Sequence, residues 1–177
     1  MNVFVAGIHG VGKTYLASRI PATSGLVHTS ASKLIKEELS LPEWESGKIV
    51  ADVDRNQLAL AKAVARHNLS GTALLLDGHF VLLGKTGDFI RLGANVFETL
   101  NLSKVLLIEA DPTIVAQRIQ DRDGLGRDFN WLAAFMRQER EQAGAVCTEL
   151  NIPLGILESP EVDEFVGAAI GSTHKLI

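Results

Sequence analysis

The sequence predicts an α/β fold, with a mostly parallel five-stranded sheet and helices on both of its faces. Short runs rich in apolar residues alternate along the chain with longer stretches of helical periodicity. Two of these runs, at 72–76 and 105–108, are almost continuously apolar, which is typical of strands buried on both faces. At 177 residues and 46% hydrophobic content, the chain has the size of one domain with a substantial core.

The predicted elements follow one another in a regular order. Strands are predicted at 2–6, 26–28, 72–76, 104–109 and 152–157. Helices are predicted at 12–20, 31–39, 53–69, 112–122, 129–149 and 161–170. The segment 80–91 breaks the alternation, and it is predicted to form a β-hairpin at the carboxyl edge of the sheet, where ligands bind in such folds.

Particular residues set the limits of several helices. Pro21 ends the first helix, because proline cannot continue the hydrogen bonding of a helix interior. Asp54 and Gln57 fit a capping box at the start of the third helix. Asp111 followed by Pro112 fits the start of the fourth helix.

The composition excludes several classes of protein. A net charge of −4 gives no bulk attraction to nucleic acid or to an anionic membrane. Cys147 is the single cysteine, so no intramolecular disulfide can form. Met1 leads directly into a strand without a signal segment, and no apolar run approaches the roughly 18 residues of a membrane span. We therefore predict a single cytoplasmic domain over 1–177, without nucleic-acid or membrane partners and with its oligomeric state left open.

Residues 7–14 match the pattern G-x-x-x-x-G-K-[S/T] directly behind the first predicted strand. Backbone N–H groups at the start of a helix bind a polyphosphate, and glycines keep that approach open. In this pattern Lys13 reaches the β- and γ-phosphates, and the Thr14 hydroxyl is a ligand of Mg²⁺. The segment therefore predicts a P-loop fold that uses ATP and Mg²⁺. The predicted nucleotide-binding residues are Gly7, His9, Gly10, Val11, Gly12, Lys13, Thr14 and Tyr15.

Asp77 is the first charged residue after the predicted strand 72–76. A carboxylate at this edge of the sheet can hold Mg²⁺ together with Thr14, or it can orient an acceptor hydroxyl. The alternative is an ordinary turn formed by Asp77 with Gly78. His79 projects near the same cleft, either as a substrate-binding residue or as a loop histidine.

A helix–loop–helix segment at about 118–130 is rich in arginine, and it is predicted to form a small helical lid. Arg118 and Arg122 share one face of the first helix, and Arg127 follows the short loop. Guanidinium groups that arrive on closure stabilise the charge on the transferring phosphoryl group, so these arginines and Lys13 are the predicted catalytic residues. The alternative is a solvated helix pair whose arginines are neutralised by nearby carboxylates.

Further arginines are candidates for binding the acceptor. Arg55 opens the third helix, Arg91 ends the predicted hairpin, and Arg140 lies on the helix 129–149. Guanidinium groups bind phosphate through paired hydrogen bonds. With Asp77 and His79, these arginines form the predicted substrate-binding set. The acceptor-binding region is placed at about 30–70 and in the hairpin 80–91.

The order and spacing of these motifs resemble the archaeal-type adenylate kinases over residues 1 to about 157. The matching segments are Gly7 to Thr14, Asp54-Arg55, Asp77-Gly78-His79, the hairpin leading into 96–101, and Arg118 through Arg127-Asp128. The resemblance implies a P-loop kinase core that phosphorylates AMP with MgATP. It also implies phosphate binding by Arg55 and lid roles for Arg118 and Arg127. The sequence departs from this family in the acceptor half of the cleft, at Gly78 (usually Thr), at 91–94 and in a short segment between Leu39 and Asp52.

These observations predict an ATP- and Mg²⁺-dependent small-molecule kinase, with a nucleoside monophosphate as the expected acceptor. A kinase of another small hydroxyl compound is the first alternative, because such enzymes share the pattern from Asp111 to Arg122. A nucleotide-binding regulatory ATPase that keeps the kinase core is the second alternative. A regulatory GTPase is disfavoured, since the sequence has no N-K-x-D segment to read guanine.

Overall fold

The computed structural model describes residues 1–39, 53–84, 86–124, 126 and 128–171. The strands of the described residues are β1 (Asn2–Ala6), β2 (Leu26–Ser30), β3 (Ala73–Asp77), β4 (Val81–Leu83), β5 (Phe89–Arg91), β6 (Leu102–Glu109) and β7 (Leu154–Glu158). Their helices are α1 (Lys13–Ala17), α2 (Ala31–Glu38), α3 (Val53–Leu69), α4 (Ala94–Glu98), α5 (Pro112–Asp123), α6 (Phe129–Glu149) and α7 (Val162–Ile170). A short 3₁₀ helix spans Ala22–Ser24.

The main sheet has five parallel strands in the order β2-β3-β1-β6-β7. From the central strand β1 the chain first builds one side of the sheet, with β2 and β3, and later the other side, with β6 and β7. The carboxyl ends of β1 and its two neighbours therefore meet at the point where the strand order reverses. This is where open α/β sheets bind their ligands.

Each face of the sheet packs against its own hydrophobic core. Successive residues of β1 alternate between the two cores, with Phe4 in one and Val5 in the other. Residues of α2, α3, α4 and the second half of α6 complete the first core, and residues of α1, α5, α7 and the first half of α6 complete the second. Because the central strands are covered on both faces, they read as continuous apolar runs in the sequence.

The structure confirms the predicted α/β fold, its five parallel strands and the hairpin, which is formed by the antiparallel pair β4 and β5. The first helix is shorter than the predicted 12–20, since the amides of Arg19 and Ile20 bond three residues back, at 3.0 and 3.3 Å, and tighten the chain into a turn. The prediction also missed α4, which at five residues is too short to show helical periodicity.

Some predictions concern residues that the structure does not describe, namely 40–52, 85, 125, 127 and 172–177. One residue of the hairpin turn, part of the acceptor-binding region and part of the lid fall in these ranges, while residues 86–88 of the turn are described. For the membrane prediction, every described helix is too short or too polar to cross a bilayer.

Candidate functional site

The phosphate loop, residues 7–14, connects the central strand β1 to α1. Its backbone enters the left-handed region at Gly7 (φ 135°) and at Gly12 (φ 102°), which residues with side chains rarely adopt. A Cβ atom on Gly7 would also lie 2.3 Å from the carbonyl oxygen of Ile108 in β6. The loop therefore needs glycine at these positions to follow this path against the sheet.

Lys13 lies inside the phosphate loop, with 7% of its surface exposed. Its Nζ donates to the carbonyl oxygens of Gly7 and Ile8 at 2.5 and 3.2 Å, and it lies 3.9 Å from Oδ1 of Asp77. Burial lowers the pKa of Lys13, and the nearby carboxylates of Asp77 and Glu139 oppose this shift. The loop thus holds the ammonium group next to the backbone that would bind the phosphates.

Thr14 and Asp77 place two oxygen atoms side by side. Thr14 Oγ1 donates to Oδ2 of Asp77 at 3.2 Å. The two residues meet because Asp77 ends β3, which pairs with β1 directly before the phosphate loop. A hydroxyl and a carboxylate are ligands that Mg²⁺ prefers, so the chemistry of this pair fits the predicted metal position.

Glu139 is a residue of the site that the sequence analysis missed. It lies on α6 with 1% of its surface exposed, and its carboxylate accepts hydrogen bonds from backbone N–H groups of both the phosphate loop and the hairpin. The bond from Gly7 measures 3.2 Å, that from Val81 2.7 Å, and Phe80 lies 3.0 Å from each carboxylate oxygen. Burial raises the pKa of Glu139, and the backbone hydrogen bonds and Lys13 oppose this shift.

The sequence does carry a signal for Glu139. The buried residues of α6 recur at a spacing of three or four, as Leu132, Phe135, Glu139, Ala143, Val146 and Cys147. A glutamate in the middle of such an apolar stripe faces the interior, and buried carboxylates require hydrogen-bond partners. Periodicity alone therefore indicates that Glu139 is unusual, although it does not say which atoms it binds.

His9 and His79 lie close to each other and line the same cavity. Their ring centroids are 4.8 Å apart, with the ring planes inclined at 58°. His79 Nδ1 is also 3.9 Å from Oε1 of Glu139, which is an ion pair only when the imidazole is protonated. The two histidines thus connect the phosphate loop to the segment that follows β3.

A cavity of about 330 Å³, here called the cleft cavity, opens beside the phosphate loop. Its polar lining residues include His9, Lys13, Thr14, Ser30, Ser32, Asn56, Gln57, Asp77, His79 and Arg122. Its apolar lining residues include Phe4, Ile35, Leu60, Leu82, Leu92, Val96, Phe97 and Leu100. Predicted site residues from three separate parts of the chain, the phosphate loop, the end of β3 and α5, therefore line this cavity together with a largely apolar set of side chains.

The ring of Phe4 reaches the cleft cavity because Gly78 has no side chain. A Cβ atom on Gly78 would lie 2.6 Å from Cζ and 2.8 Å from Cε2 of that ring. Phe4 packs edge-on against Phe80 and Phe97, with centroids 5.4 Å from each, and those two rings stack at 4.3 Å. The departure from the adenylate kinase pattern at Gly78 thus accommodates an aromatic ring in the acceptor half of the cleft.

Two of the predicted lid arginines lie close to the cleft. Arg118 Nη1 donates to the carbonyl oxygens of Gly10 and Val11 at 3.1 and 3.4 Å, so it lies against the phosphate loop. Arg122, one turn further along α5, lines the cleft cavity, and its Nε and Nη2 donate to Asp123 at 2.6 and 2.7 Å. The structure brings both guanidinium groups to the site, and their catalytic role stays a prediction.

Arg91 and Arg140 are bonded elsewhere. Arg91 donates to Gln138 at 2.8 Å and to Glu141 at 2.7 Å, both on α6. Arg140 makes a two-point contact with Glu109 at the end of β6, in which its Nε lies 2.8 Å from Oε1. Both arginines are exposed, and neither is among the described residues that line the cleft cavity. These two predicted substrate-binding residues therefore do not line the cavity as the structure describes it.

Two further predicted residues, Tyr15 and Arg55, are not among the described residues that line the cleft cavity. Tyr15 is 56% exposed, and the guanidinium of Arg19 lies 4.8 Å from the centre of its ring. Arg55 is an exposed residue in the first turn of α3. Arg127 lies outside the described residues, so its predicted lid role has no structural counterpart here.

Comparisons with known proteins agree with this geometry. A family model described as an AAA domain matches residues 6–131. A search among curated proteins gives no match. Three solved structures share the fold at low sequence identity, and two of them are sugar or sugar-acid kinases.

The first is a gluconokinase from Sinorhizobium meliloti 1021, with a TM-score of 0.54 and 14% identity, over 96% of this chain and 89% of that one. The second is a sugar kinase from Janibacter sp. HTCC2649, with a TM-score of 0.54 and 15% identity, over 98% of both chains. The third is an uncharacterized protein from Eubacterium ventriosum ATCC 27560, with a TM-score of 0.53 and 11% identity, over 95% of this chain and 94% of that one. These likenesses support a P-loop, kinase-like fold without a preference for adenylate kinase.

Proposed function

The chain belongs to the AAA domain family, and from that premise we propose that it is an ATP- and Mg²⁺-dependent kinase that phosphorylates a hydroxyl group of a small molecule. The observation that carries this proposal is the position of the Asp77 carboxylate. It lies beside Lys13 and Thr14 of the phosphate loop and also faces the cleft cavity. One carboxylate thus stands between the nucleotide side and the acceptor side of the cleft.

The phosphate loop and Asp77 carry the proposed transfer. The amides of the loop and Lys13 bind the β- and γ-phosphates, and Thr14, with Asp77 acting through water, would hold Mg²⁺, which would neutralise phosphate charge. Asp77 orients the acceptor hydroxyl. The hydroxyl oxygen forms a bond to the γ-phosphorus, the bond from that phosphorus to the ADP oxygen breaks, and the hydroxyl proton passes to the carboxylate.

Arg118 and Arg122 are placed to act on the transferring group in this proposal. Both are on α5, where Arg118 contacts the phosphate loop and Arg122 lines the cleft cavity. A guanidinium group there stabilises the negative charge that spreads over the phosphoryl oxygens. Arg122 must exchange its contact with Asp123 for the phosphate oxygens as the site closes.

The lining of the cleft cavity supports an acceptor that has an apolar face as well as a hydroxyl group. The aromatic rings of Phe4 and Phe97 and the surrounding aliphatic side chains form one side of the cavity. Such a surface favours a ring or an aliphatic body over a fully hydroxylated chain, because sugar hydroxyls buried against it would lose their hydrogen bonds to water. The polar groups that would fix the orientation of the acceptor are also in the lining of this cavity.

A nucleoside monophosphate is the second candidate acceptor. It is supported by the motif order shared with the archaeal-type adenylate kinases and by Arg122, a cation in the cavity lining that can bind an acceptor phosphate. Against it, Arg91 and Arg140 are bonded to carboxylates outside the cavity. The two candidates differ in the need for a base, since a phosphate acceptor is already ionised.

A coupled assay of ADP release tests the proposal. ATP and Mg²⁺ are supplied with ribonucleosides, aromatic and aliphatic alcohols, sugars, gluconate and the nucleoside monophosphates in turn. We expect ADP formation to depend on a hydroxyl compound with an apolar face. For the Asp77→Asn variant, we expect a loss of about 10²-fold or more in kcat, the scale of general base catalysis, while the exposed control Asp163→Asn keeps full activity.

The other outcomes of the same assay are equally informative. Acceleration by nucleoside monophosphates alone identifies the second candidate, for which any loss in Asp77→Asn reflects its part in holding Mg²⁺ rather than a base. Slow ATP hydrolysis that no acceptor accelerates contradicts both and indicates a regulatory ATPase.

A further inference from the structure

We propose that Glu139 is a positioning residue that couples the phosphate loop to the hairpin of β4 and β5, so that nucleotide binding orders the acceptor side of the cleft. This inference rests on the proposed function for its meaning, because it links the donor half of a kinase cleft to the acceptor half. The contacts that support it are hydrogen bonds between residues of this chain, and they do not depend on which acceptor is bound.

The coupling is a set of hydrogen bonds that converge on one carboxylate. Glu139 Oε1 accepts from the amide of Gly7, the first residue of the phosphate loop, and Oε2 accepts from the amide of Val81, the first residue of β4. The amide of Phe80 lies 3.0 Å from both oxygens. A displacement of either segment therefore changes the geometry of the hydrogen bonds made to the other.

The chemistry of the carboxylate fits this task better than a packing role would. Glu139 lies in the apolar stripe of α6, where an aliphatic residue would fill the space without the cost of burying a charge. The backbone amides of Gly7, Phe80 and Val81 are donors at the edges of irregular segments. An aliphatic side chain would leave them without this acceptor.

Other bonds hold the hairpin to α6 without reaching the phosphate loop. Gln142 Nε2 donates to the carbonyl oxygen of Leu92 at 2.6 Å, and Arg91 binds Gln138 and Glu141. These contacts hold the end of β5 and the residue after it, at the open end of the hairpin where Arg91 pairs with Val81. Among the described residues of α6, Glu139 is the one whose hydrogen bonds reach both segments, so the coupling is assigned to it.

The residues near Glu139 indicate where in the cleft the coupling would act. Lys13 is close enough to be influenced by the charge of Glu139, and His79 Nδ1 lies 3.9 Å from its Oε1. The hairpin that Glu139 orients contributes Leu82 to the lining of the cleft cavity. A phosphate bound by the loop therefore acts, through Gly7 and Glu139, on a segment that contacts the acceptor.

The test compares Glu139→Gln with the matched control Glu149→Gln, an exposed glutamate on the same helix. The probe is AMPPNP with Mg²⁺, a nucleotide that is not consumed, so the experiment needs no acceptor. Its dissociation constant is measured by calorimetry. Hydrogen exchange of the backbone amides is followed with and without the nucleotide in two segments, 7–14 and 78–84.

In the wild-type protein and in Glu149→Gln, we expect AMPPNP to slow exchange in both segments. In Glu139→Gln, the carboxamide NH₂ group replaces one acceptor oxygen, so a bond to either Gly7 or the hairpin is lost. We expect the nucleotide to protect 7–14 but no longer 78–84, with its dissociation constant raised about tenfold, within the usual range of coupling between sites.

A lowered melting temperature with an unchanged dissociation constant and unchanged protection of both segments would show that Glu139 is merely structural, and it would overturn the proposal. If Glu139→Gln does not fold, Glu139→Asp is measured in its place, since its shorter carboxylate keeps the charge but cannot reach both segments. The same loss of protection at 78–84 is then expected, and full protection overturns the proposal.

Failure of the proposed function gives a different pattern. A protein that couples the two segments through Glu139 but phosphorylates nothing in the acceptor assay retains the coupling and loses the kinase assignment. If hydrogen exchange in the wild-type protein does not respond to AMPPNP in either segment, both the coupling and the kinase assignment are contradicted.

Discussion

The two halves of the cleft are built in different ways. The donor half comes from one continuous segment, the phosphate loop, whose function depends on backbone amides, glycines and one buried lysine. The acceptor half is assembled from β1, α2, α3, the end of β3, the hairpin and α4, and its surface is largely apolar and aromatic. In the proposed kinase, the first half would bind the nucleotide by charge and backbone geometry, and the second would bind the acceptor by shape.

This difference shows how one scaffold can keep its nucleotide site while its acceptor changes. A polyphosphate presents the same charges in every reaction, so its loop tolerates little variation. The acceptor half distributes recognition over many side chains, each of which contributes a small part of the binding. Asp77 and Glu139 each contact both halves: Asp77 bonds to Thr14 and lines the cavity, and the Glu139 carboxylate accepts from backbone amides of the phosphate loop and of the hairpin.

The largest expected effect concerns the donor half. Lys13→Ala removes the cation beside the phosphates, and we expect turnover in the ADP-release assay to fall by about 10²–10³-fold, as for the loss of a preorganised electrostatic contact. Lys62→Ala, an exposed lysine on α3, serves as the control and should keep full activity. A folded Lys13→Ala protein with unchanged turnover would contradict the proposed role of Lys13 in binding the phosphates.

A smaller effect is expected for Arg122, a predicted lid residue that lines the cleft cavity. Arg122→Ala removes a guanidinium group from the cavity lining, and kcat should fall about tenfold, the equivalent of one charge-assisted hydrogen bond. Arg140→Ala is the matched comparison, since Arg140 is also exposed but is paired with Glu109 outside the cavity. Equal losses in the two variants would contradict the distinction drawn here between these arginines.

The acceptor half is tested by Gly78→Ala. The added Cβ would lie 2.6 Å from Phe4 Cζ and must displace that ring. An overpacking cost of about 1 kcal/mol corresponds to about a fivefold rise in the KM for the acceptor. The affinity for AMPPNP, measured by calorimetry, should stay within twofold of the wild-type value, roughly the scatter of such comparisons. A weaker nucleotide affinity with an unchanged acceptor KM would reverse the assignment of the two halves.

The smallest effect is a pH dependence of stability in the donor half. Burial lowers the pKa of Lys13 in the folded chain below the 10.5 of an ordinary lysine. Between the two values the unfolded chain binds more protons, so the free energy of unfolding rises with pH in that window. Urea titrations should show this rise in the wild-type protein and not in Lys13→Met. Parallel pH profiles for the two proteins would contradict the predicted shift.

Much of the fold could be predicted because its signals are local. The strands β1, β3 and β6 are apolar runs, and the predicted cap at Asp111 lies where α5 begins. The donor half could be predicted for the same reason, since its chemistry lies in residues 7–14. The 3₁₀ helix and α4 span three and five residues, which is too few for periodicity to reveal them.

The acceptor half could be predicted only in part. The sequence indicated Asp77 and His79 because they follow a strand, and both line the cleft cavity. It also indicated Arg91 and Arg140 because arginine suits phosphate. Whether a guanidinium group reaches a ligand or a neighbouring carboxylate depends on which elements pack together, and these two arginines are bonded to Glu141 and Glu109.

The sequence by itself determined a parallel α/β fold with a phosphate loop, because strand burial, helix periodicity and a glycine-lined loop are properties of consecutive residues. Only the tertiary structure decided that Glu139 bridges the loop and the hairpin, that the ring of Phe4 fills the space beside Gly78, and that Arg122 rather than Arg91 or Arg140 lines the cavity. The bonded and packed pairs among these join residues more than 50 positions apart, and the pairing of β1 with β3 and the packing of α5 and α6 bring the residues together.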